Sequence, residues 1–200
     1  MMTHIFWYLA RSSGLLTYAC AWASVVWGLL MSTRIVPRVE RATLYVIHRL
    51  LALGGMIFLG IHLITLFLDP WAKFSARELI VPFGSAYRPF WMACGIVTAY
   101  LLIAITVSSI FQARLPVVLW RGIHYLSFLS FFLGLVHGVG TGTDTRQPWA
   151  ILFYGLTAAA VACLSVVRFR SSRVKAAAPI TRHAPARTVR AHSLRDLAGD

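Results

Sequence analysis

Charged side chains are scarce in this chain, and acidic ones are the scarcest. Only 12% of its 200 residues are charged, with six Asp or Glu against nineteen Lys or Arg. Hydrophobic residues make up 58% of the sequence, and the mean hydropathy is +0.72. A soluble domain of this length needs a much larger polar surface, so the composition excludes a soluble globular protein.

Other signals are missing as well. The three cysteines, Cys20, Cys94 and Cys163, lie in apolar runs without a CxxC spacing, which favours small core residues over a disulfide or metal role. The sequence has no GxGxxG fingerprint and no room for a Rossmann fold, so we expect no NADPH domain of its own. The amino terminus lacks a basic region of the signal-peptide type, and we expect its first apolar run to be a retained helix.

Long apolar runs are what the chain has in abundance. Each is long enough for the roughly 20 residues that a helix needs to cross a membrane. The five predicted spans are 12–31, 43–68, 90–111, 117–138 and 149–169. Because an open sheet edge cannot face lipid, we predict an all-α integral membrane bundle over residues 1–170. The Ala-, Pro- and Arg-rich residues 171–200 predict a basic, disordered cytoplasmic tail.

Basic residues predict how the bundle lies in the cell membrane. Fourteen Lys or Arg fall on one side of the five spans, eight of them towards the carboxyl end, and five fall on the other side. By the positive-inside rule the amino terminus is outside and the carboxyl terminus is in the cytoplasm. The basic excess lies in loops and the tail rather than on one face, so we expect membrane lipid and no nucleic acid as a partner.

Four of the seven histidines lie inside predicted spans, where an ionisable group is costly and usually functional. His48 and His62 belong to the second span, and His124 and His137 to the fourth. Any one of them alone is as well explained as a hydrogen-bonded structural residue. Their separations of 14 and 13 residues, however, correspond to roughly 20 Å on either helix. Both helices run in the same direction, so the four side chains form two pairs at two depths.

Facing imidazoles at one depth are suited to ligating a haem iron from both sides, which favours electron transfer over oxygen binding. One detail does not fit an ideal helix. Fourteen residues leave His48 and His62 about 40° apart around the axis, whereas thirteen leave His124 and His137 about 140° apart. A bend near Gly134, or different directions of approach to the two haems, are the two explanations that the spacing leaves open.

The segments VIHRLLALGGMIFLGIHL and LWRGIHYLSFLSFFLGLVHG carry this histidine pattern. They resemble the two haem-bearing helices of the ferric reductase-like transmembrane domain, which is found in ferric reductases and NADPH oxidases. The resemblance covers about residues 10–170. It implies that His48, His62, His124 and His137 ligate two b-type haems. The chain departs from the larger members of that family in having one helix fewer and no flavin and NADPH domain.

The resemblance also implies partners. Electrons would come from a separate cytoplasmic flavoprotein reductase and leave to an acceptor on the outer face, which makes the chain the membrane cytochrome component of an oxidoreductase. Haem propionates need cationic or hydroxyl partners. The candidates are Arg49, Trp120 and Arg121 at the inner site and Arg88 at the outer site. Positive-inside placement or snorkelling also explains the inner arginines, whereas Arg88 runs against the charge rule.

Two other classes of function remain open. A proton or metal transporter would use the histidines as a relay or as ligands, and it would call for acidic partners inside the membrane. None of the six acidic residues lies well inside a predicted span. A cofactor-free membrane subunit that anchors a partner is the third reading.

Overall fold

The computed structural model of the protein describes residues 4–33 and 40–177. Within these residues the fold is all-helical and contains no strand. The six helices are α1 (Ile5–Thr33), α2 (Arg41–Leu68), α3 (Ala76–Ile80), α4 (Pro89–Ile110), α5 (Val117–Thr141) and α6 (Pro148–Ala177). All except α3 are long and apolar enough to cross a membrane, which indicates a multi-pass membrane protein. The predicted all-α architecture with five spanning helices is therefore confirmed.

The helix bounds follow the predicted spans closely except at the two ends of the chain. Helix α1 begins at Ile5 rather than at residue 12, because the apolar residues before Arg11 continue the helix. Helix α6 extends to Ala177, into the segment predicted to be a disordered tail. Arg, Lys and Ala are good helix formers, which accounts for the extension. The rest of the predicted tail, 178–200, lies outside the described residues.

The surface of the bundle is apolar, as a hydrocarbon environment requires. Val118 is 85% exposed and Ile57 64% exposed, both on spanning helices. In water such an exterior would drive aggregation, whereas in lipid it costs nothing. Packing between helices in lipid depends on close contact of small groups. Helix α1 packs along α2 and helix α4 along α5, and α1 also contacts α5 and α6.

An aromatic cluster joins α1 to α5 and α6 at mid-bundle. Tyr18 stacks on Phe131 with ring centroids 5.8 Å apart, and Leu29 and Val161 complete the buried cluster. The Tyr18 hydroxyl lies 2.6 Å from the Thr157 hydroxyl, which also donates to a backbone carbonyl of α6. A buried hydroxyl needs such a partner, so this hydrogen bond fixes α6 against α1.

Polar caps close the connection between α2 and α4. The buried carboxylate of Asp69 accepts hydrogen bonds from the backbone N–H groups of Trp71 at 2.9 Å and of the next residue at 3.4 Å. Ser75 and Glu78 form a reciprocal capping box at the start of α3. The hydrogen bonds from the backbone and hydroxyl of Ser75 hold the pKa of the Glu78 carboxyl below its usual value. This connection therefore keeps a defined shape at one end of the bundle.

We expect Tyr18→Phe to lower the thermal midpoint of the detergent-solubilised protein. The substitution keeps the ring and removes one buried hydrogen bond, worth about 1 kcal/mol, or roughly 2–4 °C for a chain of this size. The control is Tyr8→Phe, because the Tyr8 side chain is 62% exposed. An equal midpoint for both variants would show that the Tyr18 hydroxyl does not hold α6.

Candidate functional site

Two cavities lie along the bundle, each lined by two of the four membrane histidines. The first, the His62 cavity, has a volume of about 610 Å³ and is lined by His62 and His137. The second, the His48 cavity, has a volume of about 760 Å³ and is lined by His48 and His124. In each pair one histidine comes from α2 and the other from α5. Both volumes are of the size that holds an organic cofactor.

The pair in the His48 cavity is close. The ring centroids of His48 and His124 lie 6.0 Å apart, with the ring planes inclined at 63°. Two metal–imidazole bonds of about 2 Å, together with the distance from each nitrogen to its ring centre, add up to roughly 6 Å. The separation therefore leaves room for one metal ion between the two nitrogens, although it is also the distance of an ordinary edge-to-face ring contact.

Three of the four histidines use the Nδ1 atom in the same way. His62 Nδ1 lies 2.7 Å from the carbonyl oxygen of Ala10, and His137 Nδ1 lies 2.9 Å from that of Trp91. His48 Nδ1 lies 3.0 Å from the carbonyl oxygen of Ser24 and 3.1 Å from its hydroxyl. A carbonyl can only accept, so each Nδ1 carries the proton and donates it. Nε2 then keeps its lone pair, and this arrangement is typical of metal-ligating histidines.

A glycine on the neighbouring helix makes the accepting carbonyl of each of these hydrogen bonds accessible. The accepting carbonyl always belongs to the residue four positions before a glycine. The three carbonyl–glycine pairs are Ala10 with Gly14, Ser24 with Gly28, and Trp91 with Gly95. A helical side chain leans towards the amino terminus and covers the turn before it, so a missing Cβ uncovers that carbonyl. The imidazole occupies the space that the side chain would have filled.

These rings fit the glycines with unequal tightness. A Cβ atom on Gly95 would lie 2.5 Å from Nδ1 of His137, and one on Gly14 would lie 2.9 Å from Nδ1 of His62. On Gly28 the nearest His48 atom would be 3.6 Å away, an ordinary van der Waals distance. Both histidines of the His62 cavity therefore pack more tightly against their glycines than His48 packs against Gly28.

His124 departs from the repeated arrangement. Its Nδ1 is buried and has no hydrogen-bond partner among the described residues. The ring instead stacks on Trp120, one turn earlier in α5, with centroids 5.3 Å apart and planes inclined at 30°. The 13-residue spacing, which places His124 and His137 on different sides of an ideal helix, thus corresponds to a difference in the structure. His124 is the one histidine of the four whose Nδ1 does not donate to a carbonyl among the described residues.

Arginines give the His48 cavity a positive lining. Arg49 and Arg121, both predicted from the sequence, line it together with Trp120, and so does Arg168 of α6. The Arg168 guanidinium donates a 3.0 Å hydrogen bond to the Tyr125 hydroxyl. No Asp or Glu lies among the described residues of this lining. The cavity is therefore electrostatically suited to an anionic ligand.

Sequence reasoning missed Arg168 because it counted this residue with the basic tail. The signal was its position within an apolar run that continues as a helix, where a basic residue must face a polar cavity or reach the interface.

Unpartnered polar atoms are concentrated in the same cavity. Among the described residues, six buried side-chain nitrogen or oxygen atoms lack a hydrogen-bond partner. Four of them belong to residues lining the His48 cavity, namely Ser109 Oγ, Trp120 Nε1, His124 Nδ1 and Ser130 Oγ. A buried polar group without a partner costs about 1–3 kcal/mol. Their grouping points to a polar ligand or water that belongs in this cavity.

The His62 cavity has a different electrostatic character. Arg11 and Asp144 line it and form an ion pair that ties α1 to the connection between α5 and α6. Asp69 also contributes to the lining. Arg88, the sequence candidate for this site, is not among the described lining residues. Its guanidinium donates to the Gly140 carbonyl and lies 5.6 Å from the Tyr87 ring, where it caps α5.

A thin wall separates the two cavities. Four residues line both of them: Ala21, Leu102, Ser130 and Phe131. The Phe131 ring and the Ser130 side chain are almost fully buried at this level of α5. The two cavities therefore meet at one layer of side chains.

Comparisons with family models, with curated proteins and with solved structures found no match. The resemblance based on the histidine spacing thus stays a prediction. Among the described residues, no three His, Cys, Asp or Glu side chains group as they would around a bare metal ion.

Alanine at the three carbonyl-exposing glycines should have graded effects on stability. We expect Gly95→Ala and Gly14→Ala to be destabilising, by about 1–3 kcal/mol, since the new methyl group forces an imidazole from its carbonyl. Gly28→Ala should be neutral or stabilising, because its Cβ fits and alanine favours a helix by about 1 kcal/mol. Thermal unfolding in detergent measures all three.

The matched control is Gly60→Ala in α2, where a Cβ would meet nothing within 4 Å. If Gly95→Ala were as stable as Gly60→Ala, the close fit of ring and glycine would be contradicted.

Proposed function

We propose that this chain is a membrane electron-transfer protein that binds two b-type haems, one in each cavity, in the manner of the ferric reductase-like transmembrane domain. The observation that carries the proposal is the pairing of one α2 histidine with one α5 histidine in each of two cavities. Haem, when bound, supplies reversible one-electron chemistry at its iron. The protein supplies axial ligands, spacing and electrostatics.

The ligand chemistry of each cavity supports haem. A haem takes nitrogen ligands from protein side chains, and the two histidines of each cavity would supply them. Anchored Nδ1 atoms leave the Nε2 atoms of His48, His62 and His137 free to ligate. Held by two histidines, the haem would supply one-electron chemistry without an open position for a substrate.

The charge of the His48 cavity supports the carboxylate side chains of haem. Arg49, Arg121 and Arg168 would hold the propionates, and the Trp120 N–H would donate a hydrogen bond that it otherwise lacks. In the His62 cavity the one lining arginine, Arg11, is paired with Asp144. Propionates there would share Arg11 with that carboxylate, so this site offers them less cationic charge.

The wall between the cavities supports transfer from one site to the other. Phe131 and Ser130 border both cavities, so two bound haems would be separated by one layer of side chains. Helix α5 carries this wall and also contributes one histidine to each site. Electron transfer along the bundle would therefore need no movement of the helices.

Charge at the two ends supports an orientation in the cell membrane. The end that carries the His48 cavity has seven arginines, one lysine and one acid on its described helix ends and loops: Arg41, Arg49, Arg114, Arg121, Arg168, Arg170, Arg173, Lys175 and Glu40. The other end has five basic residues balanced by three acids: Arg11, Lys73, Arg77, Arg88, Arg146, Asp69, Glu78 and Asp144. We propose that the His48 site faces the cytoplasm and the His62 site faces outside.

This orientation leads to a topology prediction. A reporter fused after Asp200 should be active only in the cytoplasm, and one inserted at Thr143 only outside, because basic loops are retained on the inner side. Enzymatic or fluorescent reporters of opposite compartment preference provide the measurement. The reverse pattern would invert the proposed direction of electron flow.

The same polarity identifies the kind of partners required. Electrons would enter the His48 site from a separate cytoplasmic flavoprotein reductase, attracted by the arginine-rich end. They would leave from the His62 site to an acceptor on the outer face. The chain is then the membrane cytochrome component of an oxidoreductase and transfers electrons between proteins or small acceptors on opposite sides.

We expect the purified protein to contain two haems b per chain, and His62→Ala or His137→Ala to lower this to about one, because a haem needs both axial ligands for tight binding. Pyridine haemochrome absorbance relative to protein concentration is the measurement.

His4→Ala is the matched control. His4 stacks on Trp71 and is not among the described residues that line either cavity, so its variant should keep both haems. A haem content near zero in the wild-type protein would contradict the proposal. It would leave a histidine-dependent proton or metal transporter, or a cofactor-free anchor subunit, as the function.

A further inference from the structure

The register of the helix pairs shows where a fourth anchor for histidine would be. Along α1 and α2, Gly14 lies opposite His62 and Gly28 opposite His48, so both spacings are 14 residues. The register of α4 and α5 is set by Gly95 opposite His137, and by Thr98 against Gly134 three residues further on.

Continuing this register brings Ser108 of α4 level with His124, with Ser109 beside it. The position that is glycine in the other three pairs is thus a serine. The Ser108 hydroxyl donates to the Ile105 carbonyl of its own helix at 3.0 Å. A side chain there covers the preceding turn of α4, so no carbonyl of α4 is uncovered for His124.

The position of His124 around the axis of α5 also directs its ring away from the backbone of α4. Its 13-residue spacing from His137 places it about 100° around α5 from the position that a 14-residue spacing would give. The ring is therefore directed towards His48 and Trp120 rather than towards the backbone of α4. Stacking on Trp120 holds the ring by a contact with little directional preference, which a small rotation does not break.

Unequal anchoring has consequences for ligation. Hydrogen bonds to the second nitrogen of a ligating imidazole fix its orientation and raise its basicity, and their loss typically weakens metal binding about 10–100-fold. The His48 site therefore combines a ligand with two partners, Ser24 carbonyl and hydroxyl, and a ligand with none. Both ligands of the His62 site are anchored and are tightly fitted against glycine.

We propose that His124 is a displaceable ligand, and that the His48 site accepts a small neutral diatomic molecule in its place while the His62 site does not. This inference rests on the proposed haem binding. Cavity volume and an unpartnered atom support it, since the His48 cavity is the larger of the two and Ser109 Oγ, which lines this cavity and not the His62 cavity, has no partner among the described residues.

Carbon monoxide is the probe, because it binds reduced haem iron only where a coordination position opens. The dithionite-reduced wild-type protein should bind one carbon monoxide per two haems, measured by difference spectroscopy and titration. Binding to the second haem should be slower by about tenfold or more. No binding, or equal binding to both haems, would overturn the proposal.

Two double variants assign the site. His62→Ala/His137→Ala removes both ligands of the His62 site and should retain carbon monoxide binding at the wild-type rate. The matched variant His48→Ala/His124→Ala should lose it. The opposite assignment would overturn the proposal even if the stoichiometry were one to two.

The carbonyl-exposing glycine offers a test that leaves all four ligands in place. Gly95→Ala forces His137 from its carbonyl and should open the His62 site to carbon monoxide, raising the stoichiometry towards one per haem. An unchanged stoichiometry in a Gly95→Ala protein with full haem content would refute the link between anchoring and displacement. A wild-type protein without haem contradicts the proposed function itself, whereas two haems that both exclude carbon monoxide contradict only this inference.

Discussion

A neutral imidazole inside a membrane has one N–H group that must be satisfied, and in this chain that requirement governs how helices pair. Water is absent from the hydrocarbon region, and backbone carbonyls in a helix are already used by the helix itself. A carbonyl has a second lone pair, but a side chain normally covers it. Glycines at positions 14, 28 and 95 remove that cover, and three histidines occupy the resulting space. Each contact both anchors a side chain and holds two antiparallel helices in register.

The remaining features of the site follow from these contacts. Once Nδ1 donates to a carbonyl, Nε2 is left as a ligand, and both histidine helices direct their ligands into cavities at the same two levels. Helix α6 completes the arrangement by bringing Arg168 to the His48 cavity and by joining Tyr18 through Thr157. Electrostatics then distinguishes the two levels, with arginines at one and a closed ion pair at the other.

The sequence predicted the spanning helices well because hydrophobicity and length alone decide them in lipid. It also placed the four histidines at two depths, since the rise per residue is fixed. It did not predict the role of Gly14, Gly28 and Gly95, because that role depends on which helices become neighbours. The glycines between the two histidines of α2 have no such role: a Cβ on Gly60 would meet nothing within 4 Å, and one on Gly55 would lie 3.4 Å from Cys20 in α1.

The angular positions of His124 and His137 around α5 carried information that the sequence alone left ambiguous. A 13-residue spacing left a bend or a different approach as alternatives. In the structure the two histidines of α5 do approach their cavities differently, because His137 Nδ1 donates to the Trp91 carbonyl whereas His124 Nδ1 has no partner among the described residues. Arg88 shows the limit of arguments from charge alone. Its position beside the predicted site suggested a propionate partner, but its guanidinium donates instead to the Gly140 carbonyl at the end of α5.

Electron paramagnetic resonance of the oxidised, frozen protein tests the central claim most directly, because it reports the axial ligands of each iron. Two low-spin ferric signals of the bis-imidazole type, equal in intensity and together accounting for all the iron, are the predicted result. The signal assigned to the His62 site should disappear in His62→Ala while the other persists. A spectrum dominated by high-spin iron, or one low-spin signal for two haems that is unaffected by His62→Ala, would contradict ligation by these two histidine pairs.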